Sequence, residues 1–216
     1  MTIKRIFLFK ILTEIDINFN NMKNKLFLSN KIIYYEKILK DDKMDLLDVM
    51  LKRRSVRRYT DDEIPNEKMN KIIQAGLLAP TSRNLKPCNF LIIENKEVLK
   101  KISESKEHGA AFLKDANKAI AVIGNATIAD TWIEDSSIAL AFMHLMAAEQ
   151  DIGSCWIQIR LRKNKEGECS EDLVRDILGL DDYFRIVGIL ALGIEDGHME
   201  GYTLDDIDKE KVHYLY

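Results

Sequence analysis

Four short apolar segments alternate with helix-like segments after Met44, and this alternation limits the fold more than any other feature. Each apolar segment has the length of a buried strand, and the segments between them carry apolar residues at helical spacing. We expect strands over residues 90–93, 119–124, 154–159 and 186–192. Helices are expected over 44–52, 66–78 with Asn66 as N-cap, 96–105, 135–150, and from the cap residue Ser170 to Gly179. The pattern indicates a three-layer α/β or α+β domain and leaves the order and direction of the strands open.

Residues 1–43 differ in composition from the rest of the chain. They contain no Gly, Pro, Ala or Val and carry nine basic and five acidic residues, whereas the remaining residues carry 23 basic and 30 acidic ones. Lys4 and Arg5 before an apolar stretch suit a targeting segment or a membrane-surface helix. Lys10 and Glu14 interrupt that stretch, and no small-residue cleavage site follows. We therefore expect residues 1–43 to be an appendage or upstream extension outside the fold, and residues 44–216 to form one domain.

The composition excludes several classes of protein. The 216 residues are 46 % hydrophobic and 31 % charged, with a net charge of −3, which is ordinary for a globular protein and unsuited to coating nucleic acid. No apolar run approaches the roughly 18 residues of a membrane span. Three widely spaced cysteines form no disulfide framework, and the histidines form no ligand cluster with them. We therefore expect a cytoplasmic protein without a metal site.

The most unusual local feature is a basic segment, residues 52–58, with the sequence KRRSVRR. Five cations in seven residues repel one another unless an anion is near, and they stand in a domain that is otherwise acidic. Arginine guanidinium groups fork onto phosphate oxygens, which favours a phosphate-ester site. A solvated basic helix end or a nucleic-acid patch is the alternative, and the acidic body argues against the latter.

Two further segments carry polar groups beside apolar structure. The loop 79–87 lies between two prolines and contains Asn84, whose amide suits the edge of a heterocycle. The segment 153–160 delivers Trp156 and then polar residues at the end of a strand. Taken alone, these segments are a turn and a core strand. His144 stands among apolar helix residues, so we expect a buried, hydrogen-bonded histidine or an interface residue.

Together, and in this order, the three segments resemble the nitroreductase family of flavin enzymes. The R-R-S-x-R-x-[FY] element corresponds to residues 53–59, the A-P-[ST]-x-x-N-x-x-P loop to 79–87, and the long helix with its following strand to 135–158. The resemblance implies an α+β fold in three layers with a mainly antiparallel central sheet. It also implies a homodimer with one FMN per subunit at the interface. FMN is then reduced by NADH or NADPH and passes electrons to a nitroaromatic, quinone or similar acceptor by a ping-pong mechanism.

The resemblance also implies roles for particular residues, with the flavin and no side chain as the catalytic group. The phosphate, ribityl chain and pyrimidine edge of FMN are assigned to Arg53, Arg54, Ser55 and Arg57. Asn84 and Lys86 are placed near the isoalloxazine, contributed by the other subunit, and the backbone around Ile157, Gln158 and Ile159 near flavin N5. Arg57 or Lys86 is the candidate cation for the charge that builds on the reduced ring.

The chain departs from the family pattern at several positions. Gly193 is followed by Ile-Glu-Asp in place of the frequent Tyr-Pro, and Lys86 stands where the family often has Gln. The basic residue for the phosphate is therefore sought among Arg160, Arg162, Lys209 and Lys211. The basic segment alone leaves two other functions open: a non-catalytic binding or regulatory protein for FMN or another phosphorylated ligand, and an interaction module with a phosphorylation site at Ser55.

Overall fold

A computed structural model describes residues 45–215 of the chain. Its helices are α1 (Leu46–Lys52), α2 (Asn66–Leu77), α3 (Lys96–Glu104), α4 (Trp132–Glu149) and α5 (Ser170–Leu178). Its strands are β1 (Cys88–Ile93), β2 (Lys118–Asn125), β3 (Gly153–Gln158) and β4 (Phe184–Gly193). Within this part of the chain, no helix is long and apolar enough to cross a membrane. The expectation for residues 1–43 falls outside the described residues.

The four strands form one antiparallel sheet in the order β1-β2-β4-β3. Cys88 at the start of β1 lies opposite Gly124 near the end of β2. At the other edge, Gly153 at the start of β3 lies opposite Gly193 at the end of β4. The segment entering β1 and the segment entering β3 therefore lie at opposite ends of the sheet and on opposite edges. The predicted α+β class with a central antiparallel sheet is confirmed.

Helices cover both faces of the sheet. Alternate residues of β2 point to opposite faces, so Ala119 and Ala121 join one buried cluster while Ile120 and Val122 join the other. The first cluster packs under α3, α5 and the 3₁₀ turn Ala111–Asp115. The second packs under α2 and α4. This arrangement confirms the predicted three layers, and it explains why β2 and β4 are almost continuously apolar.

Two predicted helix caps are wrong, and one predicted end is right. Ser170 is the first residue of α5; its N–H donates to Arg162 O at 2.9 Å, and its hydroxyl is buried without a partner in the described part of the chain. Asn66 is likewise already helical, because Pro65 takes the N-cap position with φ −57°. Gly179 ends α5 in the left-handed conformation at φ 66°, which a glycine adopts without strain.

After α1 the chain runs in extended form past the corner where β3 begins and β4 ends. Ser55 forms a parallel bridge with Ser154, and Val56 N donates to Ser154 O at 3.0 Å. Further on, Tyr59 forms an antiparallel bridge with Glu195. The basic segment is therefore fastened to the sheet by its backbone, and its side chains are left to make other contacts.

Candidate functional site

Two of the five cations in the basic segment are neutralised by acids. Lys52 pairs with Asp151. Arg58 pairs with Asp196 at 3.2 Å, and Asp196 N also donates to Arg58 O at 3.0 Å. These two pairs are exposed on the surface, so their contribution to stability is small. They lie at the two ends of the basic segment.

Arg53 and Arg54 have uncharged partners instead. Arg53 Nη1 lies 2.9 Å from His144 Nε2. The Arg54 guanidinium carbon lies 4.3 Å from the centroid of the Tyr202 ring, within range of a cation–π contact. Among residues 45–215, neither guanidinium forms an ion pair with a carboxylate. Both keep their full charge and several N–H donors for a ligand.

Arg57 also keeps its charge. Its Nη1 donates to Ser55 O at 3.1 Å, and its guanidinium carbon lies 5.9 Å from the centroid of the Phe112 ring. The buried thiol of Cys155 lies near this group, and burial raises the pKa of that thiol above its ordinary value while Arg57 opposes the shift. Cys155 is therefore a protonated packing residue at neutral pH and not an activated nucleophile.

A cavity of about 340 Å³ opens beside the basic segment, lined in part by Arg53, Arg54, Ser154 and Glu195. A second cavity of about 270 Å³, lined in part by Ser55 and Arg57, adjoins it through shared residues. Those shared residues are Val56, His198 and Met199. Four of the residues expected to hold FMN thus line two neighbouring cavities.

Glu195 lines this cavity and has one carboxylate oxygen without a partner among the described residues. Its Oε1 atom is buried and has no hydrogen-bond partner in the described part of the chain. A buried acceptor without a donor is costly, so a ligand that brings a hydroxyl or N–H group to this atom would relieve that cost. A phosphate would be repelled by the same carboxylate. The cavity therefore combines arginines suited to a phosphate with an acceptor suited to hydroxyl groups.

The end of β3 offers one backbone donor on its open side. Ser154 faces away from β4, because its carbonyl accepts the bond from Val56, and residues two apart in a strand face the same way. Gln158 therefore directs its backbone groups to the open edge, whereas Ile159 N is already bonded to Val187 O at 3.0 Å. Of the three predicted residues, Gln158 alone has its N–H on the open side.

The side chains at this strand end are committed within the chain. Ile157 and Ile159 are fully buried in the core. Gln158 Oε1 accepts a bond from Trp156 Nε1 at 3.1 Å, and its Nε2 donates to the Arg160 carbonyl at 3.0 Å. Any contact of this segment with a ligand is thus expected from the backbone.

The loop that contains Asn84 and Lys86 has an unusual backbone. Arg83, Asn84 and Lys86 all have positive φ, at 51°, 57° and 49°, and each such residue costs about 1 kcal/mol or more. The loop is held by Ser82 N, which donates to the buried Asp135 at 2.9 Å. Asn84 and Lys86 are exposed. The loop therefore displays two polar side chains at the surface.

A single copy of the chain does not bring this loop to the basic segment. The loop leads into β1 at one end of the sheet, and the basic segment lies beside the start of β3 at the other end. Helix α4 connects the two places: Asp135 near its start holds the loop, and His144 contacts Arg53. Nine residues of helix separate these contacts by about 14 Å along the axis.

None of the four basic residues considered for a further phosphate contact is among the residues that line these two cavities. Arg160 N donates to Val187 O at 3.0 Å, and Arg162 Nη1 donates to the neighbouring Leu161 carbonyl at 3.0 Å. Lys209 and Lys211 are exposed in the C-terminal tail, where Lys211 pairs with Asp208 at 3.2 Å.

Sequence reasoning missed two contributors to the site. Glu195 stands where the sequence departs from the family pattern, and no motif includes Tyr202. Both stand in a polar C-terminal segment whose pattern carries no strand or helix signal. The left-handed backbone of the 82–86 loop was also missed, because its residues are not glycines.

The described residues form a three-layer α+β domain in which Arg53 and Arg54 line a cavity at one corner of the sheet. The chain matches the Nitroreductase family over residues 50–107 and 104–194. It therefore belongs to the nitroreductase family, as its motifs predict.

Similar proteins agree with this assignment. An FMN-dependent nitroreductase from Clostridium difficile is 37 % identical, with a TM-score of 0.75, over 78 % of this chain and 98 % of that one. A protein of Archaeoglobus fulgidus named "Putative NADH dehydrogenase/NAD(P)H nitroreductase" is 29 % identical over 78 % of this chain and 97 % of its own. A protein of the same name from Methanothermobacter thermautotrophicus is 30 % identical over 81 % of this chain and 88 % of its own.

Proposed function

We propose that this protein is an FMN-dependent oxidoreductase that takes electrons from NADH or NADPH and delivers them to an electron-poor aromatic acceptor. Nitroaromatics and quinones are the acceptor classes we expect, with ping-pong turnover. One observation carries the proposal: Arg53 and Arg54 line a cavity, and neither forms an ion pair with a carboxylate of the described residues. Family membership and the FMN-dependent nitroreductase of C. difficile support FMN as the ligand.

The residues present fit the chemistry of FMN. Its phosphate needs cations with free donors, which Arg53 and Arg54 supply. Its ribityl hydroxyls can donate to a buried acceptor, and Glu195 Oε1 is such an atom without a partner in residues 45–215. FMN, when bound, supplies the redox chemistry of the reaction.

The protein's own groups then have three tasks. Arg53, Arg54 and Ser55 hold the polar end of the cofactor. Arg57 supplies a fixed positive charge that favours the reduced, anionic form. The backbone N–H of Gln158, on the open side of β3, supplies a donor for the ring edge. None of these tasks requires a side chain to act as acid or nucleophile.

A second copy of the chain would complete the site. Asn84 and Lys86 lie at the far end of the sheet from Arg53 within one copy, so they would reach a cofactor held by the basic segment of another. Helices α1 and α4 pack together, and they expose the apolar side chains of Leu46, Leu47, Met50 and Phe142. An exposed apolar surface of this kind suits a contact between copies, so we include a homodimer in the proposal.

The visible absorption spectrum of the purified full-length protein tests this function first. We expect a flavin spectrum that bleaches when NADPH or NADH is added without oxygen. A flavin spectrum that neither dinucleotide bleaches would retain the cofactor and leave a binding or regulatory protein. A colourless protein that also fails to bind added FMN would overturn the proposal.

A pair of variants tests the assignment of the basic segment. Arg53→Ala should lower the flavin content of the purified protein about tenfold or more, because it removes a charge-assisted contact to phosphate. Arg58→Ala is the matched control, since Arg58 is a neighbouring cation already neutralised by Asp196. Equal flavin content in both variants would contradict the assignment.

A further inference from the structure

Two hydrogen bonds connect Arg53 to the sheet through His144. Arg53 Nη1 lies 2.9 Å from His144 Nε2, and His144 Nδ1 lies 2.7 Å from Ser154 Oγ. A guanidinium group only donates, so Nε2 must accept and carries no proton. The ring proton therefore sits on Nδ1 and is donated to the hydroxyl of Ser154. Both ring nitrogens are used, and the tautomer is determined by its neighbours.

The imidazole in this chain of contacts is neutral. Burial lowers the pKa of His144 to about 4, and the positive charge of Arg53 acts in the same direction. At neutral pH the ring is an acceptor without charge. Arg53 therefore has a partner that orients it and does not cancel its charge.

Ser154, the second partner of His144, is held firmly in the sheet. Ser154 is buried within β3, and its carbonyl accepts the bond from Val56 that fastens the basic segment to the sheet. Both partners of His144, Arg53 and Ser154, line the 340 Å³ cavity. The Arg53 guanidinium is thus connected to the sheet through His144 and Ser154.

We propose that His144 is a positioning residue for the flavin phosphate: it holds the Arg53 guanidinium at the cavity as an uncompensated cation. This inference rests on the proposed function. Arg58 shows the contrasting arrangement, because Asp196 holds that guanidinium and also neutralises it. A carboxylate behind Arg53 would orient it equally well, but it would weaken its attraction for a dianion.

FMN and riboflavin distinguish this role from a general structural one. The two ligands share the ring and the ribityl chain, and riboflavin lacks the phosphate. The measurement is the Kd of each flavin for the full-length apoprotein, from quenching of flavin fluorescence. For His144→Leu we expect an FMN Kd raised roughly tenfold, the effect of one lost charge-assisted contact, and a riboflavin Kd within about twofold of wild type.

Two further variants at this position extend the test. His144→Gln places an amide oxygen near the position of Nε2, so it should keep most of the affinity for FMN. His144→Glu should hold Arg53 and cancel its charge, so it should weaken FMN at least as much as the leucine variant and leave riboflavin unaffected. Should the leucine variant fail to fold, the difference between the Gln and Glu variants carries the same information.

The double variant Arg53→Ala/His144→Leu tests whether His144 acts on FMN binding through Arg53. In an Arg53→Ala background, His144→Leu should cause no further loss of FMN affinity, because the group it positions is absent. Additive losses, or equal weakening of FMN and riboflavin by His144→Leu, would overturn the inference while leaving the proposed function standing. Failure of the wild-type apoprotein to bind either flavin would overturn the proposed function and this inference with it.

Discussion

The charge state of His144 shows how strongly the fold controls a single residue. The imidazole lies between the Arg53 guanidinium and the Ser154 hydroxyl, and the contact with Arg53 requires it to be neutral. In the unfolded chain the same side chain titrates near 6.5, whereas burial and Arg53 lower its pKa to about 4 in the folded protein. Folding therefore excludes a proton that the unfolded chain binds. This difference links stability to pH.

We expect the free energy of unfolding to fall as the pH is lowered from 6.5 to about 4. In this window the unfolded state binds more protons at His144 than the folded state, so stability rises with pH. The slope due to this residue approaches about 1.4 kcal/mol per pH unit. Urea unfolding of wild type and His144→Gln at several pH values isolates it, because the variant lacks the titrating group. Parallel pH profiles for the two proteins would contradict the expected pKa.

At the scale of elements, the regular structure was predictable and the irregular structure was not. All four strands and five helices lie within three residues of their predicted bounds, because their apolar runs and helical spacing have clear periods. The extended segment after α1 was missed, since single bridges such as Ser55 to Ser154 leave no period in the sequence. The separation of Asn84 from Arg53 within one copy also depends on strand order, which local patterns do not encode.

Helix α5 and strand β4 are connected by a buried carboxylate. Glu171 Oε1 accepts bonds from Arg185 Nε at 2.7 Å and Ile186 N at 3.0 Å, and its Oε2 accepts from Arg185 Nη2 at 3.0 Å. The side chain of Glu171 is 3 % exposed and that of Arg185 is 39 % exposed. A buried carboxylate with three donors is well satisfied, and its removal would leave a buried N–H and a partly buried cation without partners.

We expect Glu171→Ala to lower the free energy of unfolding by about 2–4 kcal/mol. Asp172→Ala, in the same turn of α5, is the control: the Asp172 carboxylate is 56 % exposed and its partner Arg175 keeps a second partner in Asp182, so the loss should be less than about 1 kcal/mol. Urea denaturation with a constant m-value measures both effects. Equal losses in the two variants would mean that burial does not decide the contribution of this ion pair.

At the scale of the whole molecule, every residue assigned to the site lies among the described residues 45–215. The family match likewise begins at residue 50. We therefore expect a protein that begins at Met44 to keep the flavin content of the full chain and a thermal midpoint within a few degrees of it. Loss of bound flavin on this truncation would place residues 1–43 within the functional unit.

The proposed homodimer places Arg53 of one copy and Asn84 of the other at the same cofactor, and mixed dimers test this arrangement. If Arg53 of one copy and Asn84 of the other hold the same cofactor, the variants Arg53→Ala and Asn84→Ala each damage both sites of a homodimer. In a mixed dimer, one site carries both substitutions and the other carries neither. Half of the dimers formed from an equal mixture are mixed, so about one quarter of the sites should be intact.

We therefore expect co-expression of the two variants, followed by flavin titration of the mixture, to recover up to about one quarter of the wild-type tight FMN binding. The double variant Arg53→Ala/Asn84→Ala co-expressed with itself is the baseline. Recovery no greater than the average of the two separate variants would mean that each chain builds its site alone, and the homodimeric site would then be withdrawn.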